Sequence, residues 1–313
     1  MEMYPLKFKP IFKERIWGGQ KLRDIFSKEL PADTKIGESW ELADLPDDKS
    51  PIANGPLAGK TIDKVIEQFT AQITGRADFP KPFPLLIKIL DAEDVLSVQV
   101  HPDKETCQRM GKGEPKTECW YIISSQPGAV IYKGLKKGVT KQDFAAAIKP
   151  GAATELLNRI EVHPGECHFL PAGTPHAVGA GLVIAEIQTP SDTTYRVFDW
   201  NRVDDTGKSR QLHIQEALES INFNADPKKL TVRTSGILVD SEFFQVEKYN
   251  LSKSSERDLA GEMKVLIIIE GYGNIGGKDN SITFKAGDTI LIPAIFEGKI
   301  LSKENTEYLS VTV

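Results

Sequence analysis

The stretch LSVQVHP, Leu96 to Pro102, sets an amide and an imidazole, Gln99 and His101, two positions apart inside a run of Val and Leu. Strand side chains alternate between faces, so Gln99 and His101 project together while Val98 and Val100 pack the other way. The stretch PKTECWY repeats the device, with Lys116 and Glu118 on one face, and the turn-rich PAGTPHA presents His176. Gln99, His101, Glu118 and His176 together offer two nitrogens and two oxygens, a donor set that suits zinc and leaves room for water or substrate. The competing account is structural: a His beside Pro is commonly a hydrogen-bonded framework residue, and Gln is an unusual zinc ligand. The other histidines, His163, His168 and His213, lack a matching partner pattern and are assigned to solvent or ordinary packing. Cys107, Cys119 and Cys167 are odd in number and show no C-x-x-C spacing, which argues against a disulfide framework or a cysteine zinc site.

Strands must position this set. Short apolar runs bounded by Gly, Pro, Asp and Asn recur through the chain, among them FPLLIKIL, VLSVQVH, ECWYIIS, LVIAEIQ and MKVLIIIEG. Their length and β-branched content predict an all-β fold. Helices are expected from Thr61 (TIDKVIEQFTAQI), Thr140 (TKQDFAAAIK, with a Thr-x-x-Asp start), Ala153 (ATELLNRI) and Gln211 (QLHIQEALESI). The second and third form a small helical insertion at about 140–160. The polar segment NFNADPKKL, 222–230, reads as a linker. It divides the chain into units 1–222 and 223–313. The GYGNIGG run, Gly271 to Gly277, lacks the strand and helix context of a nucleotide loop and reads as a turn between strands.

The two units compare informatively. PGECHFLPAGTPHAV has the form G-x5-P-x-G-x2-H, from Gly165 to His176, which resembles the second motif of cupin barrels. AGDTILIPAIFEGKI repeats G-x5-P from Gly287 to Pro293, but Gly298 stands where the His would be. The resemblance implies two jelly-roll units, the first carrying a metal site and the second degenerate.

With 313 residues, 40% hydrophobic and 27% charged, the chain is long enough for two modest domains and average for a globular protein. A net charge of -5 argues against a nucleic-acid partner, while leaving room for a local basic pocket. No window approaches the roughly 20 apolar residues of a membrane span, and the first residues lack a secretory apolar region, so a cytoplasmic location is expected. A monomer or homodimer is expected.

Six stretches in order, FKPIFKERIWGG, GESWELAD, FPLLIKILDAEDVLSVQVHPD, KTECWYII, PAGTPHAVG and EIQTPSDTTYRVFDWNR, resemble a short-form type I phosphomannose isomerase from Phe8 to Arg202. The resemblance implies a zinc-dependent aldose-ketose isomerase, acting on mannose 6-phosphate and fructose 6-phosphate through a cis-enediol. It places one zinc per chain on Gln99, His101, Glu118 and His176, and makes Lys116, Glu186, Asp192 and Arg196 the active-site set. Lys116 and Asp192 are the expected proton-handling pair, with their roles open to exchange and Glu186 behind them. Arg196 is expected beside the oxyanion as a fixed cation. Trp17 and Glu38 match residues around the sugar. Lys88 interrupts an apolar strand, where burying an ammonium is costly without an anion, so Lys88 with Ser97 is expected near the phosphate. Longer family members often carry His just before the lysine; this chain has Pro115. Two other classes are weighed. Metal-dependent cupin oxygenases often show H-x-H where this chain has Gln99, and a non-catalytic sugar-binding cupin has no need for zinc together with Lys116, Asp192 and Arg196.

Overall fold

The computed structural model describes residues 2–149, 151–203, 206–225, 231–277 and 281–313. Its strands form four antiparallel sheets, two in each jelly-roll unit. In the first unit the seven-stranded sheet contains Glu118–Ser125, Leu182–Gln188, Leu86–Ala92, Ile36–Leu42 and Ile11–Gly19 as successive neighbours. The facing five-stranded sheet contains Tyr195–Phe198, Val98–Val100, His176–Val178, Val130–Leu135 and Leu157–Glu161. Alternation along these strands sends Leu90, Trp120, Ile122, Ile131, Val178 and Ile184 into the core between the sheets.

Residues at the opposite parity, among them Ile87, Cys119, Tyr121 and Ile187, point outward into a second core. There they meet the Ile62–Thr74 helix, through Ile62, Val65, Ile66 and Ile73, and the second unit's sheet, through Val246, Val265, Ile267 and Leu309. The units also trade strands: Leu6–Lys7 pairs with Thr289–Ile292, and Val232–Arg233 pairs with Cys167–Leu170. The second barrel is filled by Leu266, Ile268, Phe284, Ile290 and Tyr308. Cys119 and Cys167 are buried free thiols and Cys107 is half-buried.

Several elements differ from expectation. The predicted helix at Ala153 is a short 3-10 turn, Ala153–Leu156, that gives way to the Leu157–Glu161 strand. The Asn158 amide donates to the carbonyls of Lys133, Gly134 and Leu135 and fastens that segment to the sheet. The Gln211 helix begins only at Ile214, because the His213 N–H is held by the Arg196 carbonyl at 2.7 Å. Short helices at Lys21–Phe26 and Lys104–Met110 were unforeseen; the second is capped by Asp103, which accepts the Thr106 N–H. The Lys141–Ile148 helix has the capping box its Thr-x-x-Asp start implied. GYGNIGG is no turn: Tyr272–Gly277 is a strand. A side chain at Gly273 would collide with the Leu301 carbonyl, so the glycines admit close strand approach. Of the linker, 226–230 lies outside the described residues.

Candidate active site

Strand register assembles the site. His176 pairs with Gln99, and on the other side of Gln99 the next strand places Arg196 opposite it. Across the facing sheet, Lys88, Glu186 and Trp120 form a row on three adjacent strands. Glu118 enters from the strand that carries Trp120.

His101 and His176 each have Nδ1 2.8 Å from a backbone carbonyl, of Thr193 and Thr174 respectively. Each Nδ1 therefore donates, which leaves the Nε2 lone pair free to ligate. Both lone pairs aim at one carboxylate: His101 Nε2 is 3.3 Å from Glu118 Oε2 and His176 Nε2 is 3.4 Å from Glu118 Oε1. His101 Nε2 and both Glu118 oxygens are buried with no hydrogen-bond partner. One donor atom from each of the three residues lies within 4.8 Å of the others, a convergence that fits a metal ion. The Gln99 side-chain nitrogen is 3.2 Å from His176 Nε2, and a half-turn of the amide presents its oxygen there instead.

Electrostatics keep the set ready for a cation. Burial, with Lys116 beside it, pushes His101 down to about 4, and burial also lowers His176, so both rings are neutral near pH 7. Burial opposes ionisation of Glu118, but the Lys116 charge beside it outweighs burial and holds the carboxyl well below its ordinary range. Lys116 Nζ lies 2.9 Å from Glu118 Oε2 and 3.8 Å from Glu186 Oε1.

Beside these groups opens a cavity of about 410 Å³ whose lining includes Trp17, Glu38, Lys88, Ser97 and Gln99, together with Lys116, Glu186, Asp192 and Arg196. His101, Glu118 and His176 are at most 2% exposed, and Lys116 and Gln99 connect them to the cavity wall. Glu186 is held by Trp120 Nε1 at 3.1 Å and by Lys88 Nζ at 3.1 Å. Burial opposes ionisation of Glu38, yet Lys88 and Arg15 bring it down to about 2. Asp192 stands at the mouth, its side chain 55% exposed. A larger groove of about 710 Å³ starts at Asp192 and runs toward Asp48 and Asp63; it meets none of the candidate ligands.

The cavity also holds Arg15 and Arg210, which sequence reasoning passed over, and His213, which it assigned to solvent or ordinary packing. Arg15 had a signal, lying two positions before Trp17 on the same strand. Arg210 and His213 had none, because only the backbone pairing of His213 with Arg196 folds their loop over the pocket.

Comparisons with known proteins give the family. Residues 5–119 match the family described as phosphomannose isomerase type I, catalytic domain, and 234–302 match the mannose-6-phosphate isomerase cupin domain. The chain is 39% identical to the mannose-6-phosphate isomerase ManA of Bacillus subtilis over 94% of each chain. It is 35% identical to the mannose-6-phosphate isomerase of Streptococcus mutans over 92% of each. A crystal structure of the Bacillus subtilis mannose 6-phosphate isomerase superposes with a TM-score of 0.88 at 31% identity, covering 99% of this chain and 100% of that one. A zinc-bound mannose 6-phosphate isomerase shares the fold, with a TM-score of 0.76 at 18% identity over 98% of each chain.

Proposed function

The chain belongs to the type I phosphomannose isomerases and is an isomerase, and from that premise we propose that it interconverts mannose 6-phosphate and fructose 6-phosphate through a cis-enediol, with one zinc ion per chain. Gln99, His101, Glu118 and His176 would hold the ion. The observation that carries this reading is the convergence of buried donor atoms from His101, Glu118 and His176 beside Lys116, 2.9 Å from Glu118, at the wall of a sugar-sized cavity. A zinc ion there supplies Lewis acidity for the substrate carbonyl and for the oxyanion that develops at O1 or O2.

The chain's own groups handle the proton and the sugar. Lys116, in its neutral amine form, takes the proton from one carbon and, as the ammonium so formed, returns it to the other, with Asp192 serving the hydroxyl protons at the mouth. Glu186, fastened by Trp120 and Lys88, acts as a fixed anion that orients Lys116. Trp17 closes one side of the cavity, and the ionised Glu38 accepts from a sugar hydroxyl.

The test is conversion of mannose 6-phosphate to fructose 6-phosphate by purified protein as isolated, after chelation, and after zinc is restored. Activity that disappears and returns is expected. Metal-loaded protein that turns over neither this sugar nor free aldoses would refute the reading.

A further inference from the structure

One buried amide that the proposed chemistry leaves unused holds the turn behind the metal-ligand set. Gln188 closes the Leu182–Gln188 strand and pairs with Glu118 on the neighbouring strand. Residues directly opposite each other in an antiparallel pair share a face, so Gln188 enters the first barrel beside that carboxylate, and it is fully buried. Its Nε2 donates to the Thr189 carbonyl at 2.9 Å and to the Ser191 carbonyl at 2.6 Å. Two carbonyls at one end of the amide fix its orientation, because a half-turn would set oxygen against oxygen. Its Oε1 is buried with no partner among the described residues, so the amide is held through its nitrogen alone.

Short bonds pass this turn on to the site. The Ser191 N–H donates to the Thr189 carbonyl at 2.8 Å. Ser191 Oγ donates to the Glu114 carbonyl at 3.1 Å and accepts the Thr193 N–H at 3.2 Å. Thr193 then reaches two ways: its hydroxyl accepts the Glu114 N–H at 2.9 Å, and its carbonyl accepts from His101 Nδ1 at 2.8 Å. The first tie anchors the segment that leads into Lys116. The second fixes the tautomer that frees His101 Nε2 for a metal. Asp192, between Ser191 and Thr193, is carried to the cavity by the same turn.

We infer that Gln188 is a positioning residue for the metal centre, acting through the 189–193 turn to set the Thr193 carbonyl against His101 and Asp192 at the mouth. This rests on the metal reading above, and it assigns Gln188 no contact with the sugar or the ion.

The test compares the parent with Gln188→Met, which removes both donors, and Gln188→Glu, which keeps the shape and the oxygens but cannot hold two carbonyls. It reads zinc affinity by competition with a chromophoric chelator, the visible absorption of the cobalt-substituted protein, kcat and KM at saturating metal, and nitrogen NMR of His101 in the metal-free chain. Both variants should bind zinc about 10- to 100-fold more weakly, the usual consequence of disturbing the hydrogen bond behind a ligating histidine. Their cobalt absorption should change, kcat should fall with KM little altered, and His101 should lose its single Nδ1–H tautomer. If Gln188→Met fails to fold, Gln188→Glu decides. A lowered urea midpoint with parental zinc affinity, cobalt absorption and tautomer would show a merely structural amide and overturn the inference. Parental zinc affinity in Gln188→Glu beside a loss in Gln188→Met would overturn it too, because the oxygen and not the donors would then matter. A parent that binds neither metal refutes the metal reading separately, and the His101 tautomer still decides the role of Gln188.

Discussion

Replacing Lys116 by Met separates two roles that its position combines. Its ammonium is 3% exposed and 2.9 Å from Glu118 Oε2. At an effective dielectric constant near 20 that separation corresponds to about 6 kcal/mol of attraction before desolvation. Removing one partner of such a pair typically costs about 3–5 kcal/mol, because the other charge stays buried and unmatched. The metal-free variant should lose stability of that order. With metal bound, a divalent ion supplies the charge that Lys116 supplied, and the loss should be smaller. Metal affinity must then rise: Lys116 competes with the ion for Glu118, and each 1.4 kcal/mol relieved on binding tightens affinity about tenfold. Turnover should nevertheless fall about 10²-fold or more from lost proton transfer. Zinc titration against a chromophoric chelator, with kcat measured at saturating metal, reads both effects. Turnover within about threefold of the parent would refute the proton-handling role, and unchanged or weaker zinc binding would refute the competition argument.

Acid should weaken the metal-free fold. His101 sits at about 4 folded against 6.5 ordinarily, so between these values the unfolded chain binds a proton that the folded chain does not, and stability falls as pH drops from about 6.5 to 4. Urea midpoints that stay flat over this window would contradict the assignment. Lys133 is fully buried inside the first barrel with its Nζ unpartnered, and burial lowers it to about 8. Lys133→Met should therefore stabilise the protein by about 1–3 kcal/mol at pH 7, and a lower midpoint would show that the amine has a partner worth keeping. Tyr121 donates to Glu307 at 2.5 Å and accepts from Lys248 at 2.7 Å, joining the Glu118 strand to the second unit. Tyr121→Phe should cost about 1–3 kcal/mol in chemical denaturation; an unchanged midpoint would mean that the contact contributes nothing.

The all-β architecture and the parts of the site carried on strands were legible in the sequence because strand geometry is local. A period of two puts Gln99 with His101 and Lys116 with Glu118 on common faces wherever the strands finally lie. The family motifs then supplied His176 and the Glu186, Asp192 and Arg196 cluster. Three kinds of feature were out of reach. Helical propensity at Ala153 was overridden by sheet pairing through Asn158, a contact with residues 23–25 positions away. GYGNIGG reads as a turn until a neighbouring strand needs room, and only the packed sheet supplies that neighbour. The settings of Lys88 and His213 follow from contacts in space: Lys88 meets Glu186 across a strand pair, and His213 is carried to the pocket by a backbone bond to Arg196. Sequence determined which chemical groups this chain possesses and which share a strand face. Tertiary structure decided which of their charges are already neutralised, because that depends on partners brought within a few ångströms by sheet register and loop closure.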